Sequence, residues 1–170
     1  GETEISFSEV STNYKGGLEK ISSEHVTFKG LFFVADFNKY FEGKTFVFPD
    51  IAEKKLGRAG KKLQALNKSH GRLIKLENSE FENYFVVYGT DQIEARYILS
   101  TSLMERITDF KKANNRDIYF SFVGSKIYIA ISYNRNLFEP RIFKTLLDFE
   151  PIQEYRSDIK LAIGIVDDLN

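Results

Sequence analysis

The chain contains no cysteine, which removes disulfides, thiolate metal sites and cysteine nucleophiles while leaving the compartment open. Tryptophan is also missing, and proline occurs only three times in 170 residues. No apolar run approaches the roughly 18 residues of a membrane-spanning helix, and the polar start GETEISFSEV is no signal peptide. Neither sign of charge is in excess, since 24 Lys and Arg balance 24 Asp and Glu. What is abundant is the aromatic ring: 16 Phe and 9 Tyr supply large apolar areas that are ordinary core material. A chain of this length buries its apolar surface in one core, so residues 1–170 are read as a single globular domain.

Hydrophobic periodicity orders the elements. Thr3 to Val10 alternates as a half-buried strand, and Asn13 to Gly17 reads as a turn. His25 to Phe37 is apolar on both faces in its second half, as expected of a central strand. Glu42-Gly43 turns the chain into a short strand, Lys44 to Phe48, stopped by Pro49. Ile51 to Leu66 reads as a broken helix or an ordered loop, because Gly57 and Gly60 interrupt it. Arg72 to Glu77 is a strand, followed by a helical turn over Ser79 to Tyr84.

Asp91 with Glu94, and Ser102 with Glu105, have capping-box spacing, which predicts two helices or one bent helix over Gln92 to Lys112 with Leu103, Ile107 and Phe110 buried. Arg116 to Val123 and Lys126 to Tyr133 alternate on either side of Gly124-Ser125, a two-residue hairpin turn. Pro140 and Pro151 suit the first position of a helix. The last helix, Pro151 to about Asp168, repeats apolar groups at Ile152, Tyr155, Ile159, Ile163 and Val166. Together these give an α+β domain: a mostly antiparallel sheet packed by helices, including a long C-terminal one.

Motifs for chemistry fail on inspection. Lys29 to Asp36 overlays the RNA-binding strand of an RRM, but Leu31 stands where a stacking aromatic is needed and Asp36 would repel phosphate. Gly57 to Lys62 has too short a glycine spacing for a phosphate loop and lacks the Ser or Thr after lysine. His25 and His70 have no partner at metal-ligand spacing. No cofactor, metal or nucleic acid is therefore expected, and no catalytic residue stands out. From Glu53 to Lys75, however, eight basic residues face one acidic, a local balance of +7 against −7 elsewhere. Lys54, Lys55, Arg58, Lys61 and Lys62 form its densest part, a candidate contact for an anionic surface or a solvated loop.

The run FENYFVVYGTDQIEARYIL from Phe81 to Leu99, followed by Leu103 to Arg106, resembles the bacterial family known as domain of unknown function 3137, whose members are often labelled galanin-like. FSEV at Phe7, FKGLFFVADFNK at Phe28, LGRAGKKLQ at Leu56 and LFEP at Leu137 agree with it in order. The resemblance implies no activity and no catalytic residues. It does imply context, because members commonly carry membrane-spanning segments ahead of this region. The chain is then expected to be a domain excised from a longer membrane-anchored bacterial protein, on the cytoplasmic side of the inner membrane. There the basic segment would meet anionic headgroups.

Within the word EAR, Glu94 and Arg96 are two apart on a helix and cannot face one another, so each needs a partner elsewhere, such as Asp36, Glu80 or Lys75. Asp91, Glu94 and Arg96 are candidates for structural pairing or for a polar pocket. The function expected is a non-enzymatic binding domain for an unknown protein partner, with an anionic membrane as a further contact. Its rival is an enzyme or small-ligand binder with a pocket around Asp91, Glu94 and Arg96 and the tyrosines Tyr84, Tyr88 and Tyr97.

Overall fold

A computed structural model of the chain describes residues 4–16, 23–50, 70–133 and 150–169. The expectations for Ile51 to Leu66 and Pro140, and the basic residues Lys54, Lys55, Arg58, Lys61 and Lys62, lie outside the described residues. Among the described residues, five β segments and four helices follow in order: β1 (Ile5–Gly16), β2 (Ser23–Pro49), β3 (Arg72–Ile74), α1 (Ser79–Glu82), β4 (Phe85–Gly89), α2 (Gln92–Ile98), α3 (Thr101–Asn114), β5 (Ile118–Ser132) and α4 (Glu150–Leu169). Every pairing between β segments is antiparallel, so the fold is the α+β class expected.

The expected hairpin is β5. Ser132 N donates to Asp117 O at 2.8 Å, which joins the two ends of a 15-residue segment and requires it to double back. Gly124 supplies the reversal with φ +61, while Ser125 keeps a negative φ, the combination of a type II′ turn that matches strand twist.

This hairpin explains β2. Residues Gly30 to Asp36 pair with Ser132 to Lys126 on its second arm, whereas Phe41 to Val47 pair with Gly124 to Phe120 on its first. The two halves of β2 thus lie on opposite edges of the hairpin, and residues 37–43 arch over its tip. A straight strand of 27 residues would run about 90 Å, against a radius of gyration of roughly 15 Å for a domain of this length. No turn forms at Glu42-Gly43, where one was expected: β2 runs through both residues, with a register shift between Phe41 and Lys44. β1 lines the outer edge of the first half, β4 that of the second half, and β3 lies beyond β4.

β1 corrects one expectation: pairing runs through Asn13 to Gly16, with a register shift between Thr12 and Asn13 where a turn was expected. β3 ends at Ile74, three residues short of the expected Glu77.

Alternation along the strands puts one face of the sheet into the core. Leu31, Phe33 and Val47 of β2 meet Phe120, Phe122, Ile127, Ile129 and Ile131 of β5 there. Each fully buried side chain of this size contributes about 1.5–3 kcal/mol of burial. α3 lays Leu103, Ile107 and Phe110 on that face, as expected. α4 also packs there, through a stripe that is only partly the expected one: Val166 is buried and Tyr155 packs against the core. Asp158, Leu161, Ala162, Ile165 and Leu169 are buried, whereas Ile159 and Ile163 stay 38% and 45% exposed.

Candidate functional site

α2 is short, and each of its polar residues is used at a different place. Asp91 caps its start, accepting from Ile93 N at 2.8 Å and Glu94 N at 2.9 Å, which satisfies amides that a helix start leaves unpaired. Glu94 does not complete the capping box. Its carboxylate reaches instead to the arch, accepting from Glu42 N at 3.0 Å and Gly43 N at 2.7 Å. Gly43 permits this approach, because a Cβ there would collide with the Glu94 carboxylate. Ala95, fully buried, seats the helix on the core, and Arg96 Nη2 donates to Lys75 O at 3.1 Å beyond β3. The word EAR is thus one pin to the arch, one core contact and one pin to the far edge.

α3 begins one residue pair earlier than its spacing suggested. Ser100 is the cap, its Oγ accepting from Leu103 N at 3.3 Å, while Ser102 only exchanges a hydroxyl hydrogen bond with it at 3.1 Å. The Ser102–Glu105 spacing is coincidental, because the preceding helix ends at Ile98 and leaves Ser100 in the extended conformation that a cap requires.

Sequence reasoning missed a polar cluster built around Asp158, which is fully buried. Arg116 lies beneath α4 and forks onto Asp158, Nη1 to Oδ2 at 3.0 Å and Nη2 to Oδ1 at 2.5 Å. Tyr133 donates its hydroxyl to the same carboxylate. The guanidinium sits 4.5 Å from the Tyr133 ring centroid and 5.3 Å from that of Phe110. Burial opposes the charge on Arg116, yet the hydrogen bonds and charge of Asp158 outweigh it and raise its pKa. Burial, reinforced by Asp158, also pushes the Tyr133 hydroxyl well above its ordinary value. The available signal was helical spacing: Asp158 sits three residues from both Tyr155 and Leu161, inside an apolar stripe that a reading by hydrophobicity alone rejects.

At the arch lies a cleft of about 210 Å³ lined by Lys39, Phe41, Tyr97, Ile98, Ser100, Asp168 and Leu169. Phe41, Ile98 and Leu169 are buried and form its apolar floor, while Tyr97 is 64% exposed at the rim. Lys39 Nζ stands 5.8 Å from the Tyr97 ring centroid. Asp168 is spent on Arg106, accepting from Nε at 2.6 Å and Nη2 at 3.1 Å, and these bonds raise the Arg106 pKa.

Asp91, Glu94 and Arg96 do not line this cleft. Of the tyrosines named with them only Tyr97 does; Tyr88 is fully buried and Tyr84 packs against the core. Among the described residues no helix is long and apolar enough to cross a membrane.

Residues 26–170 match the family described as a protein of unknown function, DUF3137, and the chain belongs to that family. No curated protein and no solved structure gives a significant match.

Proposed function

From membership in a family without an assigned activity, we propose that this domain is a non-enzymatic binding module. In this reading it faces the cytoplasm from a membrane-associated bacterial protein and holds a protein partner. The observation that carries the reading is how the polar groups are spent. Asp91 caps a helix, Glu94 holds the arch, Arg96 holds the β3 end, and Asp158 is saturated by Arg116 and Tyr133. A catalytic centre needs such groups converging on a substrate-sized cavity. Here they diverge, and the cleft at the arch is smaller than the roughly 300–1,000 Å³ of small-molecule sites.

The basic segment adds a second contact. Lys54, Lys55, Arg58, Lys61 and Lys62 would meet anionic headgroups at about 1 kcal/mol per residue close to the surface. Two experiments test the reading. Cross-linking the anchored, full-length protein in native membranes is expected to retain a stoichiometric protein partner, and an uncross-linked monomer sinks the module. The isolated domain is expected to prefer anionic to neutral vesicles and to release as salt shortens the Debye length from about 10 Å near 0.1 M to about 3 Å at 1 M. Indifference to anionic vesicles at low salt removes the lipid contact and leaves the protein partner.

A further inference from the structure

α4 is apolar on two sides. Leu161, Ala162, Ile165 and Val166 are buried against the core, whereas Ile159 and Ile163 face away from it and stay 38% and 45% exposed. Being four residues apart, these two isoleucines form one patch on the helix rather than two scattered side chains. Arg156 and Lys160 are exposed towards its amino end and Asp167 towards its carboxyl end. At 3.6 residues per turn these five side chains share an arc of about 100°, the width of one docking stripe.

The charges on the stripe are unspent. Among the described residues none of Arg156, Lys160 and Asp167 makes an ion pair. The neighbouring carboxylate, Asp168, takes the fork of Arg106, to which Asp167 adds only its field. Arg156 and Asp167 are eleven residues apart, about 16 Å along the axis, so they cannot meet within one helix. Between two copies they can. When two α4 helices lie antiparallel about a twofold axis at the level of Leu161 and Ala162, Arg156 of each copy stands opposite Asp167 of the other. Lys160 then stands opposite Ile163 of the other copy, where its methylene stem covers the apolar patch and its ammonium stays in water. A parallel arrangement would instead set Arg156 against Arg156 and Asp167 against Asp167.

We propose that the exposed stripe of α4 is an interface between two copies of this chain, antiparallel and twofold, with Ile159 and Ile163 at its centre and an Arg156–Asp167 ion pair at each end. A second copy is not the partner of the binding-module reading, so the proposal stands apart from that reading. Five side chains per copy, against the roughly 20–30 residues a side of a stable interface, make the contact a weak one that fills in the millimolar range.

The test follows the full chain by sedimentation equilibrium and by backbone amide shifts through a dilution series that starts in the millimolar range. The parent is expected to self-associate, with the shifts that change on dilution centred on Arg156, Ile159, Lys160, Ile163 and Asp167. Arg156→Asp and Asp167→Arg should each weaken association about tenfold, because each turns both ion pairs of the dimer into like-charge contacts. An equimolar mixture of the two variants should regain the parent's affinity, since each supplies at both ends the charge that the other lacks. Ile163→Glu should abolish association. These side chains are exposed, so melting like the parent's shows that the variants fold; where Asp167→Arg melts lower through its neighbour Arg106, Ile163→Glu decides alone. A parent that stays monomeric at millimolar concentration, association that Ile163→Glu leaves intact, or a mixture of the two folded variants as weak as either alone overturns the proposal.

Discussion

Asp158 and Glu94 each tie a helix to the same sheet through a carboxylate, but in opposite environments. Asp158 is fully buried and is met by side chains, the guanidinium of Arg116 and the hydroxyl of Tyr133. Glu94 is half-buried and is met by two backbone amides of the arch. A buried charge of the first kind is stable only while every partner is present, because desolvation is offset by the pairing alone. Water can stand in for one of the second kind. The molecule therefore has a rigid end, where α4 is clamped, and a more permissive end, where the arch, α2 and the cleft meet.

Breaking the rigid tie should have the largest effect. Asp158→Ala strands the Arg116 guanidinium under α4 and is expected to cost about 3–5 kcal/mol, read as a shift in the denaturation midpoint. A loss no larger than that of Glu94→Ala would place the two ties on equal terms. Glu94→Ala removes two charge-assisted hydrogen bonds and should cost about 1.5–3 kcal/mol. Its sharper signature is local: amide exchange should quicken at Glu42 and Gly43 while β5 keeps its protection.

The caps come next. Asp91→Ala and Ser100→Ala should each lose about 0.5–2 kcal/mol, whereas Ser102→Ala should leave melting nearly unchanged. The smallest effect is alkaline. Tyr133 is held neutral in the folded state above its unfolded value of 10.0, so its contribution is complete below that pH and is lost as pH rises through the raised folded pKa. Stability measured above about pH 10 should therefore fall less steeply in Tyr133→Phe.

Features set by neighbouring residues were legible in the sequence. The hairpin was announced by Gly124-Ser125 between alternating arms, the α3 stripe by Leu103, Ile107 and Phe110, and the α2 cap by Asp91. The α4 face was legible only at Tyr155 and Val166, because its central buried position is occupied by a carboxylate whose partners, Arg116 and Tyr133, lie in other elements. Nor was the destination of Glu94, since the amides it binds lie 52 and 51 positions away. The cleft shows no sequence signature for the same reason: Lys39, Tyr97 and Asp168 become neighbours only in the folded chain.

The nesting of β5 inside β2 has a consequence for the order of assembly. Asp36 and Ser125 meet at the hairpin tip although 89 positions separate them. During synthesis both inner edges of β2 emerge long before the strands that fill the gap between them. Until β5 arrives, those two edges can zip to one another across residues 37–43, forming a premature hairpin that must reopen to admit the native one. Contacts of such long range already slow folding, and the reopening of such a hairpin would add a kinetic trap. Refolding of the full chain is expected to show a slow phase that shortens when the arch is loosened by Glu94→Ala, even as the native state loses stability.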